Sequence, residues 1–367
     1  MSVDPISGAK IVYIVSIDSP SSVPLELAQR LRLLADKLDI IIFKSRNQRT
    51  KSRHFKYIGA KSCFDPVAVK RLYEYIIKSQ PELIHVHHTA SSFWAPLLSK
   101  MSIGAKTIRT EHNSQVGYDT HQNLVHTVSQ ALSDFVICNS KSTYNSLYLL
   151  QEKIVGEKYR VIYNGVNTGK IDKYKECSAS DTVPKHDLLL GSVGRLVEQK
   201  NYSRLIGAFS LLQKKIKDPG LLLVGGGEKY NVLKNKIEKL GLGDSVYLTR
   251  EVSRKKVYSY LHAIDIFVIP SLWEGFCNAV VEAMAAGLPV ACSDIPTLRE
   301  VVGPFGRFFD PERINDISSV IADLSIDVNK GNYKFSSSEI QSYARKNYSI
   351  ERAAKKYLNI YRKCLSR

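Results

Sequence analysis

Two glutamates, Glu274 and Glu282, stand with seven residues between them in the run 273–287. Glu274 lies in a polar loop and is followed by Gly275, Phe276, Asn278 and Ala279. Glu282 is embedded in Ala, Val and Met, the composition of a buried helix start. A carboxylate among apolar side chains costs several kcal/mol unless it is paired or hydrogen-bonded. Glu282 therefore calls for hydroxyl or N–H partners. A ligand rich in hydroxyls, a ribose or a hexose, would supply them, and so would an internal ion pair.

A second group of residues suits an anion. The segment 191–201 contains Gly194, Arg195, Lys200 and Asn201, after an apolar strand and before a helix. Such a turn points backbone N–H groups at negative charge. Arginine grips phosphate oxygens bidentately and lysine acts as a point charge. A further strand, 221–224, runs into Gly225, Gly226 and Gly227, where a backbone can approach a ligand closely. No third spaced glycine follows, so this is not the dinucleotide fingerprint. Arg250 and Glu251 occupy a short loop before the helical stretch 254–261.

In the first half, His112 follows the strand 107–109, and His85, His87 and His88 close an earlier strand at 83–86. A strand sends His85 and His87 to one face and His88 to the other, which favours a polar cleft edge over a metal site. No Asp-x-Asp occurs in the chain, which favours a metal-independent mechanism; no cofactor is expected.

These residues have to be held by a scaffold of alternating strands and helices. Strands are expected at 10–15, 38–43, 83–86, 107–109 and 135–139. In the second half they fall at 188–193, 220–224, 245–248, 264–269 and 290–293. Helices are expected from Leu25 to Leu34 and at 66–78, 124–132, 203–214 and 349–364. Short apolar, β-branched runs separated by helices indicate parallel sheets buried on both faces. The fold class is α/β. At 367 residues the chain exceeds what one core usually serves. Three parts are expected: 1–165, 166–348 and a final helical part, 349–367.

Composition narrows the setting. No apolar run reaches eighteen residues, so no transmembrane helix is expected. The first nine residues lack the plan of a secretory signal. The six cysteines are scattered without a Cys-x-x-Cys pair, which argues against zinc and disulfide frameworks and fits the cytoplasm. The formal charge of +17 suits anionic partners: phosphorylated substrates, anionic lipid or nucleic acid. Lys44, Arg46, Arg49, Lys51, Arg53 and Lys56 crowd one segment. Such a patch could hold the chain at an anionic membrane or bind a polyprenyl-diphosphate or other lipid-linked acceptor.

The run from Glu274 to Val290 resembles the signature of the retaining glycosyltransferases of family 4, also described as glycosyl transferases group 1. There a glutamate, seven residues and a second glutamate lead into an "EAMA-G-PV" helix and strand. The chain carries Glu282-Ala283-Met284-Ala285 and Gly287-Leu288-Pro289-Val290. It also matches the family's "GRL…KN" at Gly194, Arg195, Leu196, Lys200 and Asn201, and its "LVGxG" at Leu223 to Gly227. The family's "IPNGVD" is similar to 162–167, with Tyr163 and Asn167 substituted.

The resemblance implies a GT-B fold: two Rossmann-like domains facing a central cleft, with the C-terminal helix crossing back to the first. It implies a nucleotide-sugar donor, UDP favoured, and a glycan or lipid-linked acceptor in bacterial surface polysaccharide assembly. Donor contacts would fall on Gly194, Arg195, Lys200, Gly225, Gly226, Arg250, Glu251, Glu274, Gly275, Phe276, Asn278, Ala279 and Glu282. Glu274, His112, Arg195 and Lys200 would carry catalysis. The enzyme would be cytoplasmic and peripheral at the inner membrane face. One departure stands out. The family's glycine-rich first loop is replaced by residues 16–24, with Pro20 and Pro24, so backbone contacts from it are in doubt. Two other classes fit less well. A nucleotide-sugar epimerase shares the fold but not the glutamate pattern, and a nucleic-acid binder would show interleaved basic and aromatic residues.

Overall fold

In a computed structural model of the chain, residues 6, 8–17, 22–44, 55–87, 89–114, 117–174 and 184–366 are described, residues 89–92 by backbone only. The chain divides into two units: Met1–Gly165 with Ile350–Arg367, and Val166–Ser349.

The first unit holds seven parallel strands. They are β1 (Ile11–Ile17), β2 (Leu38–Lys44), β3 (Phe55–Tyr57), β4 (Leu83–His87), β5 (Lys106–Glu111), β6 (Phe135–Cys138) and β7 (Tyr159–Val161). Their order is β3-β2-β1-β4-β5-β6-β7. β1 lies inside the sheet, between β2 and β4, and its first six residues are buried, as an apolar run with helices on both faces requires. The helix Pro66–Ser79 starts where Asp65 caps it through Val67 N and Ala68 N, with proline in its first turn. The last helix, Ile350–Leu365, buries Ala354, Tyr357, Leu358 and Tyr361 in the core that also holds Tyr13, Leu27 and Leu31. Burying each large apolar side chain contributes about 1.5–3 kcal/mol, so this stripe ties the C-terminal helix into the first unit.

The second unit holds six parallel strands: β8 (Leu188–Val193), β9 (Pro219–Val224), β10 (Val246–Leu248), β11 (Ile266–Ile269), β12 (Val290–Ser293) and β13 (Gly306–Phe309). Their order is β10-β9-β8-β11-β12-β13. The order reverses at β8 and β11. In open α/β sheets, ligands bind beyond the strand ends at such a switch point. The loop 194–201 leaves β8 there, and the loop 270–277 leaves β11.

Among the described residues, no helix is long and apolar enough to cross a membrane.

Candidate active site

The loops after β8 and β11 are stitched together. Leu272 N donates to Gln199 O at 2.9 Å, and Gln199 Nε2 donates to Trp273 O at 2.7 Å. Asn201, in the left-handed region at φ 55°, anchors the other end by donating from Nδ2 to Pro311 O at 2.8 Å. These bonds bring Lys200 and Glu274 together. Lys200 Nζ lies 2.5 Å from Glu274 Oε1, with the side chains 12% and 9% exposed. Ser271 Oγ donates to the same oxygen at 2.7 Å, and Thr297 Oγ1 donates to Glu274 O at 2.9 Å. Burial by itself would lower the Lys200 ammonium, but the Glu274 carboxylate overrides it and holds its pKa above the ordinary value. Lys200 is thus a fixed positive charge in a largely dry position. Arg195 is exposed and has no ion-pair partner among the described residues.

The glycines after β9 lie directly against this loop. A Cβ on Gly225, whose φ is +144°, would sit 2.1 Å from Gly194 O, and one on Gly227 would sit 2.4 Å from Leu196 O. Only glycine lets the two backbones approach so closely. Gly194 N donates to Val224 O at 3.0 Å and Leu196 N to Gly226 O at 2.9 Å. The glycine run therefore shapes the turn that carries Arg195.

Glu282 lies in the second turn of the helix Asn278–Ala285, whose preceding residue Cys277 is left-handed at φ 65°. The N-terminal end of that helix adds partial positive charge beside Glu274. Glu282 is 6% exposed and its carboxylate accepts from Arg254 Nη2, at the start of the helix Arg254–Ala263. An ion pair within the protein thus supplies one of the partners that a carboxylate in apolar surroundings requires. Phe276 is buried against Tyr348, ring centroids 5.4 Å apart, while Asn278 and Ala279 are half-buried at the helix start.

Arg250 covers the Tyr230 ring at 4.3 Å. It lines a cavity of about 610 Å³ along the edge strand β10, together with Thr249, Lys256 and Tyr260. That cavity does not touch Lys200, Glu274 or Glu282, so volume alone does not mark the charged site. Glu251 is exposed, and Thr249 Oγ1 accepts from Gly225 N at 3.0 Å.

In the first unit, His85 and His87 share one face of β4, ring centroids 4.2 Å apart. His85 is fully buried and hydrogen-bonds Tyr361 OH at 2.6 Å and Thr110 Oγ1 at 2.8 Å; burial pushes its pKa down to about 3. A neutral ring here acts as a structural hydrogen-bonding group. His87 Nδ1 lies 2.8 Å from His112 Nε2, and Asn139 Nδ2 donates to His112 O at 2.9 Å. His112 is therefore held in place after β5. His88 lies outside the described residues.

The basic segment divides. Lys44 ends β2 and is exposed. Lys56 belongs to β3 instead of a loop, and its ammonium lies 3.0 Å from Asp39 Oδ2 and 3.0 Å from Tyr75 OH. Lys56 is thus paired with Asp39 while its side chain stays 54% exposed. Arg46, Arg49, Lys51 and Arg53 lie outside the described residues.

Several site residues carried no local signal. Thr297 and Gln199 were missed because their contacts with the Glu274 loop arise only when β8, β11 and the helix Pro296–Val302 come together, and Ser271 was passed over although it lies only three residues before Glu274. Arg254 was placed on a helix but given no partner, since Glu282 lies 28 residues further on.

Two units of parallel sheet, the second with switch-point loops of this kind, are the architecture of the GT-B fold. The solved structure of sucrose-phosphate synthase from Thermosynechococcus elongatus superposes with a TM-score of 0.81 at 20% identity, covering 98% of this chain and 99% of that one. Anabaena Alr3699/HepE, solved in complex with UDP and glucose, gives 0.78 at 18% identity, covering 96% and 99%. At those identities the likeness carries the fold. The sequence model described as Glycosyltransferase Family 4 matches residues 21–170, and the one described as Glycosyl transferases group 1 matches residues 174–338. The chain belongs to the group 1, family 4 glycosyltransferases.

Among curated relatives, an uncharacterized glycosyltransferase of Methanocaldococcus jannaschii is 27% identical, covering 73% of this chain and 68% of that protein. The O-antigen biosynthesis glycosyltransferase WclY of Escherichia coli is 26% identical, covering 62% and 61%. An N-acetylgalactosaminyltransferase of Campylobacter jejuni, whose name specifies a diphospho-undecaprenol-linked acceptor, is 28% identical, covering 50% and 49%.

Proposed function

We propose that this glycosyltransferase moves a sugar from a nucleoside-diphosphate sugar, UDP favoured, to a glycan or lipid-linked acceptor, with retention at the anomeric carbon. The setting proposed is bacterial surface polysaccharide assembly, at the inner face of the cytoplasmic membrane. The observation that carries the reading is the Lys200–Glu274 pair beside the Gly194–Arg195 turn. It supports the reading because a fixed cation and a carboxylate side by side are the groups that a leaving diphosphate and sugar hydroxyls call for. The UDP complex of the structural neighbour supports the donor class, and the names of the Escherichia coli and Campylobacter relatives support the acceptor class.

The roles follow from charge. Arg195, Lys200 and the N-terminal end of the helix Asn278–Ala285 stabilise the diphosphate as the anomeric C–O bond breaks. Glu274 orients hydroxyls of the transferred sugar, Glu282 accepts from the ribose, and His112 is assigned to the sugar. The acceptor oxygen attacks from the face the diphosphate leaves, and its proton passes to the departing diphosphate oxygen. No side chain acts as nucleophile.

The deciding experiment is a thermal-shift screen against UDP-, GDP-, ADP- and CMP-sugars. A donor at 100 times its Kd stabilises the native state by about 2.7 kcal/mol. UDP-sugars are expected to raise the melting temperature most, and no shift with any of the four overturns the reading.

Two further results are expected. Turnover should survive EDTA, because Arg195 and Lys200 supply the counter-charge. Complete loss in EDTA, restored by Mg²⁺ or Mn²⁺, would contradict this. Changing Lys44, Arg46, Arg49 and Lys51 to Gln should lower sedimentation with phosphatidylglycerol vesicles at low salt, since each basic residue near anionic lipid is worth about 1 kcal/mol. Donor binding should stay unchanged. Equal vesicle binding by both proteins would leave a soluble acceptor as the better choice.

A further inference from the structure

The helices Pro66–Ser79 and Thr89–Ser102 turn Ala68, Leu72, Ile76 and Ala95 into the core of the first unit. Their outward faces would be polar if water alone covered them. They are not. Pro66, Tyr73 and Ile77 recur at helical spacing with Lys70 among them, and Trp94, Leu98 and Met101 recur at i, i+4 and i+7. Val69, Lys70 and Tyr73 meet Trp94 and Leu98 across a groove of about 390 Å³, which Phe64 also lines. The Phe64 and Trp94 rings sit edge to face, centroids 6.0 Å apart, and Trp94 Nε1 donates to Cys63 O at 2.9 Å. That contact holds the aromatic pair in place, although Phe64 is 60% exposed. Among the described residues, five of the exposed large apolar side chains fall between residues 64 and 101, while the whole second unit has three. Single apolar side chains on a surface are ordinary, but a contiguous patch marks a contact. The charges around it are mostly of one sign. Lys61, Lys70, Arg71, Lys78 and Lys100 are exposed. The first helix carries one acid, Glu74, 3.8 Å from Lys70, and the second carries none. Asp65 is engaged in capping the first helix.

We propose that this face is a membrane-docking surface: Phe64, Trp94 and the apolar stripes enter the headgroup–acyl boundary of an anionic bilayer, and the surrounding lysines meet its phosphates. This rests on the membrane setting proposed above and names a contact surface separate from the basic segment 44–53. Tryptophan and tyrosine favour that boundary because each has an apolar body and a polar tip. A lysine stem lies along apolar surface while its ammonium stays with the headgroups. Charge chooses between the occupants. Lys70 lines the groove itself, and lysine is depleted at the core of protein interfaces. A second copy would bring a chain of formal charge +17 against its own like. An anionic bilayer turns the same lysines into attraction.

The chain has two tryptophans, Trp94 and Trp273, so fluorescence of the full chain reports on this face. Phosphatidylglycerol vesicles with brominated acyl chains are expected to shift wild-type emission to the blue and to quench it. Phosphatidylcholine vesicles should do neither. Trp94→Phe keeps an aromatic ring, so it should sediment with the anionic vesicles within about twofold of wild type and yet lose the quenching. Phe64→Glu/Met101→Glu should bind those vesicles at least about tenfold more weakly, since two apolar contacts are lost and two like charges face the lipid. Both side chains are exposed, so its melting temperature and its response to the selected sugar nucleotide should stay at wild-type values. A wild type that sediments with phosphatidylglycerol while Trp94 goes unquenched overturns the proposal, and so does a double variant that sediments equally. Either result leaves the face to a protein partner and the membrane setting to the basic segment. A wild type that does not sediment at low salt overturns the membrane setting itself, and the proposal with it. Sedimentation velocity without lipid covers the remaining occupant: a wild-type dimer that the double variant dissociates would assign the face to a second copy and overturn the proposal.

Discussion

Glu274→Gln is expected to lower turnover by roughly 10²-fold or more, an order typical of losing one preorganised polar contact at a reacting centre. The protein should stay folded. The amide keeps the shape and can still accept from Ser271 Oγ, which lies 2.7 Å from Glu274 Oε1. What it loses is the charge facing Lys200. In the native protein that carboxylate holds the Lys200 ammonium above its ordinary range against the opposing pull of burial. A lysine raised on folding contributes stability below its unfolded pKa of about 10.4, and loses it as pH rises through the folded value. The variant should therefore be less stable across the whole neutral range, by about 3 kcal/mol if the low end for breaking a largely buried pair applies. Lys200→Ala should weaken turnover severely too, since the departing diphosphate loses a counter-charge while Glu274 is left without its partner. Steady-state turnover with the selected donor, together with melting temperatures at pH 7, is the measurement. Turnover within threefold of wild type in Glu274→Gln would remove this residue from the chemistry.

The largest effect on stability is expected from the first unit, at Arg109→Met. Arg109, Glu111 and His126 are each about 1% exposed. Arg109 Nε donates to Glu111 Oε1 at 2.5 Å, and Gln130 Nε2 donates to the same oxygen at 3.0 Å. Glu111 Oε2 lies 3.0 Å from His126 Nδ1. Removing one member of such a cluster strands a buried charge, at about 3–5 kcal/mol. For a unit of this size each kcal/mol moves the melting temperature by about 2–4 °C, so a drop on the order of 10 °C is expected in its transition. Arg109→Met/Glu111→Leu should recover most of it, because the desolvation of both charges goes with them. Burial by itself would raise the Glu111 carboxyl, but Arg109 and His126 hold it well below the usual range. A carboxylate depressed on folding contributes stability above its unfolded pKa of about 4.3, and loses it as pH falls through the folded value. Wild-type stability should thus decline steeply in acid below about pH 4, and the decline should be shallower in Glu111→Gln. Melting temperatures from pH 2 to pH 7 test both statements. A change under 2 °C in Arg109→Met would show that the cluster carries no net stabilisation. Glu111 directly precedes His112, so the same variants should also disturb the loop that carries that histidine.

Legibility tracked how local the determining interactions are. The strands β1, β8, β9, β11 and β12 are largely apolar runs buried on both faces, which reads as parallel sheet. Three strands escaped. β3 (Phe55–Tyr57) and β13 (Gly306–Phe309) are edge strands with mostly half-buried or exposed residues, and β7 (Tyr159–Val161), also at an edge, is half-buried along its length. The helix expected at 124–132 starts at Thr120, because Asp119 and Gln122 form a capping box that apolar spacing does not register. The helix Thr89–Ser102 went unread with Pro96 inside it, where proline ordinarily signals a break.

At the site, Glu282 stood out as a carboxylate in an apolar run and Gly194, Arg195 and Lys200 as a glycine turn with two cations, while the resemblance to the family signature added Glu274 and gave all five their expected roles. Sequence order also settled that Glu282 needs partners, but not which ones. That choice belonged to the tertiary structure. The pairing of Lys200 with Glu274 joins residues 74 apart, and the pairing of Arg254 with Glu282 joins two helices through side-chain tips. Contacts of that kind depend on how parallel strands are ordered in a sheet, on which loops then meet at their ends, and on which cation is left within reach of a buried carboxylate. None of these is encoded in a local period or motif. They follow only once the sheet has placed β8 beside β11.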